Sequence, residues 1–144
     1  MTCISKSALV PHTAQQMFEL VCDVENYEQF LPWCSGSRVL SQNQDEIRGQ
    51  IDISHSGLNK SFTTVNRVQV NKMIEMRLVE GPFKHLQGFW RFDAIEDLGC
   101  KISLDLEFEF SSKMMNLAFG PVFSQIANSM VDAFIQRAEQ IHGK

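Results

Sequence analysis

The sequence predicts an α+β fold: a curved antiparallel sheet of about six to seven strands around a long C-terminal helix, with two short helices after the first strand. Three observations carry this. From Ile47 to Phe110 apolar residues recur every second position, whereas before Pro32 and after Ser112 they recur at helical spacing. Turn-forming residues punctuate the alternating runs at Ser56-Gly57, Asn71, Gly81-Pro82 and Gly99. The closing helical stripe is the one element long enough to cover a sheet with a single apolar face.

In chain order, Ile4 to Val10 before Pro11 suits an opening or edge strand, because proline cannot donate to a ladder. Thr13 and Gln16 form a capping box, and Ala14, Met17, Phe18 and Val21 share a helix face that ends near Cys22. Asp23 is expected to cap a second short helix with Val24, Tyr27, Phe30 and Leu31 on one side, stopped by Pro32. Alternation starts weakly at Arg38 to Leu40 and becomes clear at Ile47, Gly49, Ile51 and Ile53. It continues through Phe62 to Val70, then Ile74, Met76 and Leu78, then Leu86, Gly88, Trp90 and Phe92. It is strongest from Cys100 to Phe110, where Ile102, Leu104, Leu106 and Phe108 alternate with charged or hydroxyl residues, as in a half-buried antiparallel strand. Ser111 or Ser112 can cap the last helix, whose apolar stripe is Phe123, Ala127, Met130, Phe134, Ala138 and Ile141. Gln125, Asn128, Asp132, Gln136 and Glu139 mark its wet side, and Gly120-Pro121 is expected to kink or restart it.

A chain of 144 residues, 44% apolar and 21% charged, fits one globular domain over residues 1–144. No apolar run approaches the roughly 18 residues of a membrane span, and no basic segment followed by an apolar stretch opens the chain. The expected compartment is the cytoplasm. Cys3, Cys22, Cys34 and Cys100 are scattered and should be free thiols. A net charge of -4 argues against a protein that coats nucleic acid, so DNA is not an expected partner, although a local basic patch remains open.

Motifs for catalysis are missing. His12, His55, His85 and His142 do not stand at zinc-site spacings, so no metal is expected, and no GxSxG, GxxxxGK or GxGxxG segment occurs. His55 shares a strand face with Ile51 and Ile53; it is read as a strand-end histidine in preference to a general base, because no paired acid or nucleophile accompanies it. Tyr27 to Cys34 gathers Tyr27, Phe30 and Trp33 around Pro32, which suits core packing or the mouth of a ligand site, the position at a helix-to-strand junction leaning towards a mouth. Phe83 follows a tight turn and is expected to be partly exposed, either as a rim touching ligand, membrane or partner, or folded onto Trp90 or a neighbouring loop; the rim is preferred. For Met114, Met115, Leu117 and Phe119 core packing is the better expectation.

Ser7-Ala8-Leu9-Val10-Pro11, Phe30-Leu31-Pro32, Gly81-Pro82-Phe83-Lys84 and Asp105-Leu106-Glu107-Phe108-Glu109-Phe110, with Leu117 to Phe123 and Asn128-Ser129-Met130, resemble one known group. This is the START-related polyketide cyclase and coenzyme-Q-binding family, which includes the RatA-type ribosome association toxins. The resemblance spans nearly the whole chain and implies the helix-grip fold. It also implies two functional traditions: binding of ubiquinone in support of respiration, and attachment to the large ribosomal subunit that blocks subunit association.

Three functions are therefore weighed. The first is non-enzymatic binding of an isoprenoid quinone or similar hydrophobic molecule, with Trp33, Phe62, Trp90, Phe92, Phe108 and Phe110 inside and Tyr27, Phe30, Phe83 and Phe119 near the rim. Peripheral contact with the inner membrane would accompany it, the segment before Pro121 would move to admit the ligand, and no further cofactor is expected. The second is ribosome binding through cations such as Arg38, Lys60, Arg67, Lys72 or Lys84. The third is a polyketide cyclase-like enzyme using His55 or an acidic residue.

Overall fold

The computed structural model describes residues 2–55 and 57–143. The elements are β1 (Thr2–Val10), α1 (Ala14–Cys22), a 3₁₀ helix (Val24–Gln29), β2 (Cys34–Gln42), β3 (Glu46–His55), β4 (Leu58–Gln69), β5 (Met73–Glu80), β6 (Phe83–Ile95), β7 (Gly99–Phe110) and α2 (Lys113–His142). The strands form one seven-stranded antiparallel sheet in the order β1-β7-β6-β5-β4-β3-β2. Consecutive strands are hairpin neighbours; the exception is β1, which pairs with β7 and leaves β1 and β2 as the two edges. This is the expected helix-grip architecture.

Local signals operate where they were read. The Thr13 hydroxyl accepts from Gln16 N at 3.0 Å while Gln16 Oε1 accepts from Thr13 N, so the capping box holds the first turn of α1. Met17, Phe18, Leu20 and Val21 are buried. Ser112, not Ser111, caps α2, its hydroxyl accepting from Met115 N at 3.1 Å. On β7 the residues from Cys100 to Phe110 alternate as expected, every even-numbered one buried. Of the turn at Ser56-Gly57, Ser56 lies outside the described residues.

Several expectations need correction. Asp23 does not cap the second helix through its side chain, which instead accepts from the Asn26 amide at 2.6 Å; the segment is a 3₁₀ helix. Gly120-Pro121 does not restart α2, which runs unbroken from Lys113 to His142. Pro121 is exposed, so the helix carbonyl that its missing N–H leaves unpaired can bond to water. Ile141 leaves the apolar stripe and is half exposed, while Ile126 and Val131 join it.

Phe83 and Phe119 are not rim residues: they are 6% and 0% exposed, as core packing requires for Phe119, whereas Met114 and Leu117, expected in the core beside it, are 78% and 79% exposed. The pairing of β6 with β7 shifts register between Phe83 and His85, making Lys84 an extra residue. Strict alternation would turn Phe83 outward from Leu86; the bulge turns both inward. Gly81 makes room, since a Cβ there would lie 2.6 Å from the Phe62 Cβ. Phe83 thus stacks on Phe110 (centroids 5.0 Å apart) and meets Phe62, Phe119 and Phe123 edge-on.

Candidate functional site

Tyr27, Phe30, Trp90 and Phe134 form a second aromatic group, with centroid separations of 5.2–6.1 Å. An apolar cavity borders both groups, touching Tyr27 and Trp90 of one and Phe62 and Phe123 of the other. Strands β3 to β7 supply its curved wall, and α2 closes it with Phe123, Ile126, Ala127 and Met130. About 60 Å³ is open to the centre of a water-sized sphere, enough for a few water molecules. None of the described residues lining the cavity is charged.

The polar groups of the lining are few. The Tyr27 hydroxyl donates to the Val21 carbonyl, and burial pushes its ionisation well above the usual phenol range. Burial also pushes the Cys34 thiol up to about 11, and the thiol donates to the Gly36 carbonyl at 3.4 Å. Neither group is poised to ionise near neutral pH. On β4 the Thr64 hydroxyl donates to Asn66 Oδ1 at 2.9 Å, both residues being 8% exposed.

Of the residues expected to contact a ligand, Tyr27, Phe62 and Trp90 line the cavity. The others stand behind or beside it. Phe92 is buried between Phe18 and Trp90; Phe83, Phe108, Phe110 and Phe119 belong to the phenylalanine group around Phe123. Phe30 packs on Phe134, with the Arg137 guanidinium 5.3 Å from its ring centre. Trp33 sits between two lining residues, Pro32 and Cys34, but turns its ring edge-on to His55, 4.7 Å away, from a backbone with φ of 57°. Such a left-handed conformation is uncommon for a bulky residue. His55 has no carboxylate partner among the described residues.

Reading the aromatics alone missed Ile51, Ile53, Met76, Leu106 and the polar pair Thr64 and Asn66. A signal for the pair existed: both lie on the same alternating face as Phe62 and Val68, where an apolar residue would be the ordinary choice. Three of the five expected ribosome-facing cations are held in ion pairs: Arg38 with Asp52 (2.6 Å), Arg67 with Glu46 (3.7 Å) and Lys84 with Glu109 (3.5 Å). Exposed Arg48 and Lys72 have no carboxylate partner among the described residues. No group of three or more His, Cys, Asp or Glu among the described residues could hold a metal ion, and no described helix is long and apolar enough to cross a membrane.

Residues 10–135 match the family described as polyketide cyclase / dehydrase and lipid transport. Over 141 residues, 98% of each chain, the sequence is 49% identical to the ribosome association toxin RatA of Vibrio cholerae serotype O1. It is 29% identical over 146 residues to a mitochondrial coenzyme Q-binding protein COQ10 homolog B of Xenopus laevis, covering 97% of this chain and 59% of that protein. The solution structure of an 18 kDa protein from Caulobacter crescentus superimposes over 100% of both chains with a TM-score of 0.76 at 30% identity.

Proposed function

The chain belongs to the polyketide cyclase / dehydrase and lipid transport family, alongside the RatA toxins, and from that premise we propose that it binds the large ribosomal subunit and hinders its association with the small one. The observation that carries this reading is the 49% identity over 98% of both chains. It reverses the order that the aromatic pattern alone suggests. The likeness to the coenzyme Q-binding relative is weaker, at 29%, and leaves part of that protein unmatched.

Exposed cations without a carboxylate partner among the described residues, such as Arg48 and Lys72, are the groups best placed to meet ribosomal RNA phosphates. Binding through them should weaken as salt rises, because each phosphate contact releases counterions. Sedimentation with purified ribosomal subunits tests this: co-migration with the large subunit at moderate salt, lost at high salt, is expected. Absence of co-migration with either subunit would remove the reading.

The uncharged cavity favours a second, compatible reading as a non-enzymatic carrier of a hydrophobic molecule, an isoprenoid quinone being the candidate. With about 60 Å³ open, such a ligand requires α2 to lift from the sheet. Cyclase chemistry has less support, since the ionisable groups of the lining, Tyr27 and Cys34, are both pushed away from neutral titration.

A further inference from the structure

We propose that Asn66 is the recognition group of the cavity and that it selects an uncharged, slender apolar molecule carrying a carbonyl-type hydrogen-bond acceptor. This rests on the second reading above, that the cavity takes a hydrophobic ligand, and adds which chemistry it takes and which residue reads it. Asn66 lines the cavity and is 8% exposed. Its Oδ1 is occupied by the Thr64 hydroxyl at 2.9 Å; among the described residues no acceptor is paired with its amide N–H groups, which are not fully enclosed as His12 Nε2 is. Its cross-strand neighbours, Ile47 on β3 and Met76 on β5, are apolar and offer none. Opposite Thr64 stands Gly49, also in the lining, so no side chain from β3 stands opposite Thr64.

The amide lines the cavity and keeps some accessible surface there, so water or a ligand can supply its acceptor, and polar groups of interiors are seldom left without one. Here the amide adjoins the open space of an otherwise apolar chamber, so the acceptor it lacks is one that a ligand can bring. Thr64 fixes the amide orientation: by donating to Oδ1 it leaves donors, and not an acceptor, facing the chamber. The lack of charge in the described lining sets the other half of the selection. A carboxylate or phosphate would lose its hydration without gaining a counter-ion, whereas a ketone or quinone carbonyl would lose little and gain the Asn66 hydrogen bond.

The probe is [2-¹³C]dodecan-2-one, a slender neutral ketone, compared with dodecanoate at pH 8 by calorimetry and carbon NMR. The ketone is expected to bind about tenfold more tightly to the native chain than to Asn66→Leu, its carbonyl resonance moving downfield only in the native complex. Dodecanoate is expected to bind at least about tenfold more weakly than the ketone. Thr64→Val, which frees the amide to turn, should give an intermediate loss; it serves as the deciding variant if Asn66→Leu does not fold. Equal ketone affinity and carbonyl shift in the native chain and the variants would overturn the role of Asn66, while leaving the cavity a hydrophobic site. Dodecanoate binding as well as the ketone would overturn the selection against charge. No binding of either probe to the native chain would overturn the cavity reading itself, and this proposal with it.

Discussion

Asp52, on the face of β3 away from the cavity, accepts from Arg38 Nη2 at 2.6 Å, Ser61 Oγ at 2.6 Å and Gln50 Nε2 at 3.3 Å. The hydrogen bond from Arg38 is the first cause that holds its carboxyl below the ordinary 3.8, with Ser61 second and burial opposing. A folded value below the unfolded one means that the contribution is fully present above about 3.8 and is lost as pH falls through the lowered folded value. Asp52→Asn should therefore lower the melting temperature slightly at pH 7, and the gap from the native protein should close below about pH 4. Thermal melts across pH check this, a constant gap being the contrary result. The effect is small because the pair faces water and Arg38 is half exposed. The cluster keeps the edge hairpin of β2 and β3 in register beside the cavity, with Ser35, Ser54 and Asn59 extending it towards the strand ends. Its composition was visible in the sequence as polar positions of an alternating strand; its pairing across β2, β3 and β4 was not.

The long helix illustrates the same division among elements. Ser112 and the stripe from Phe123 to Ala138 announce α2, yet Gly120-Pro121 reads as a break in a helix that continues through it. Position decides: Pro121 lies on the wet side, where its ring displaces no packing and water can serve the unpaired carbonyl. Pro121→Ala should restore one helix hydrogen bond and raise stability by about 1–3 kcal/mol in denaturant unfolding. A destabilised variant would mean that the proline shapes the contact of α2 with the sheet. Strand β6 was likewise legible from Leu86 to Phe92, but its opening bulge was not. One extra residue, Lys84, carries Phe83 from the outside to the centre of the phenylalanine group.

For the whole molecule, the cavity and the cations proposed to meet the ribosome are separable. Ala127, on the cavity face of α2 and 1% exposed, can be enlarged without touching Arg48 or Lys72. Ala127→Leu should fill the space, abolish ketone uptake and change stability by less than about 1.5 kcal/mol either way, because the added methylenes enter an existing void. Co-sedimentation with the large ribosomal subunit should be unchanged. If both activities fell together in a variant that still folds, ligand and ribosome would be coupled through the position of α2.

The chain order of strands and helices, the inner face of β7 and the cap of α1 follow from the sequence alone, because each depends on residues two to four positions apart; the cap of α2 was narrowed to Ser111 or Ser112. The family resemblance was legible too, in short motifs that keep their residues. Tertiary structure alone decided that β1 closes the sheet on β7, that Phe83 fills the core while Phe62 and Trp90 border open space, and that Asn66 lines a cavity with no acceptor paired to its amide among the described residues. A void is set by the summed volumes of side chains from five strands and a helix, and an unpaired amide by what the neighbouring strands place across from it. Neither quantity is local in the chain, so no window of sequence contains it.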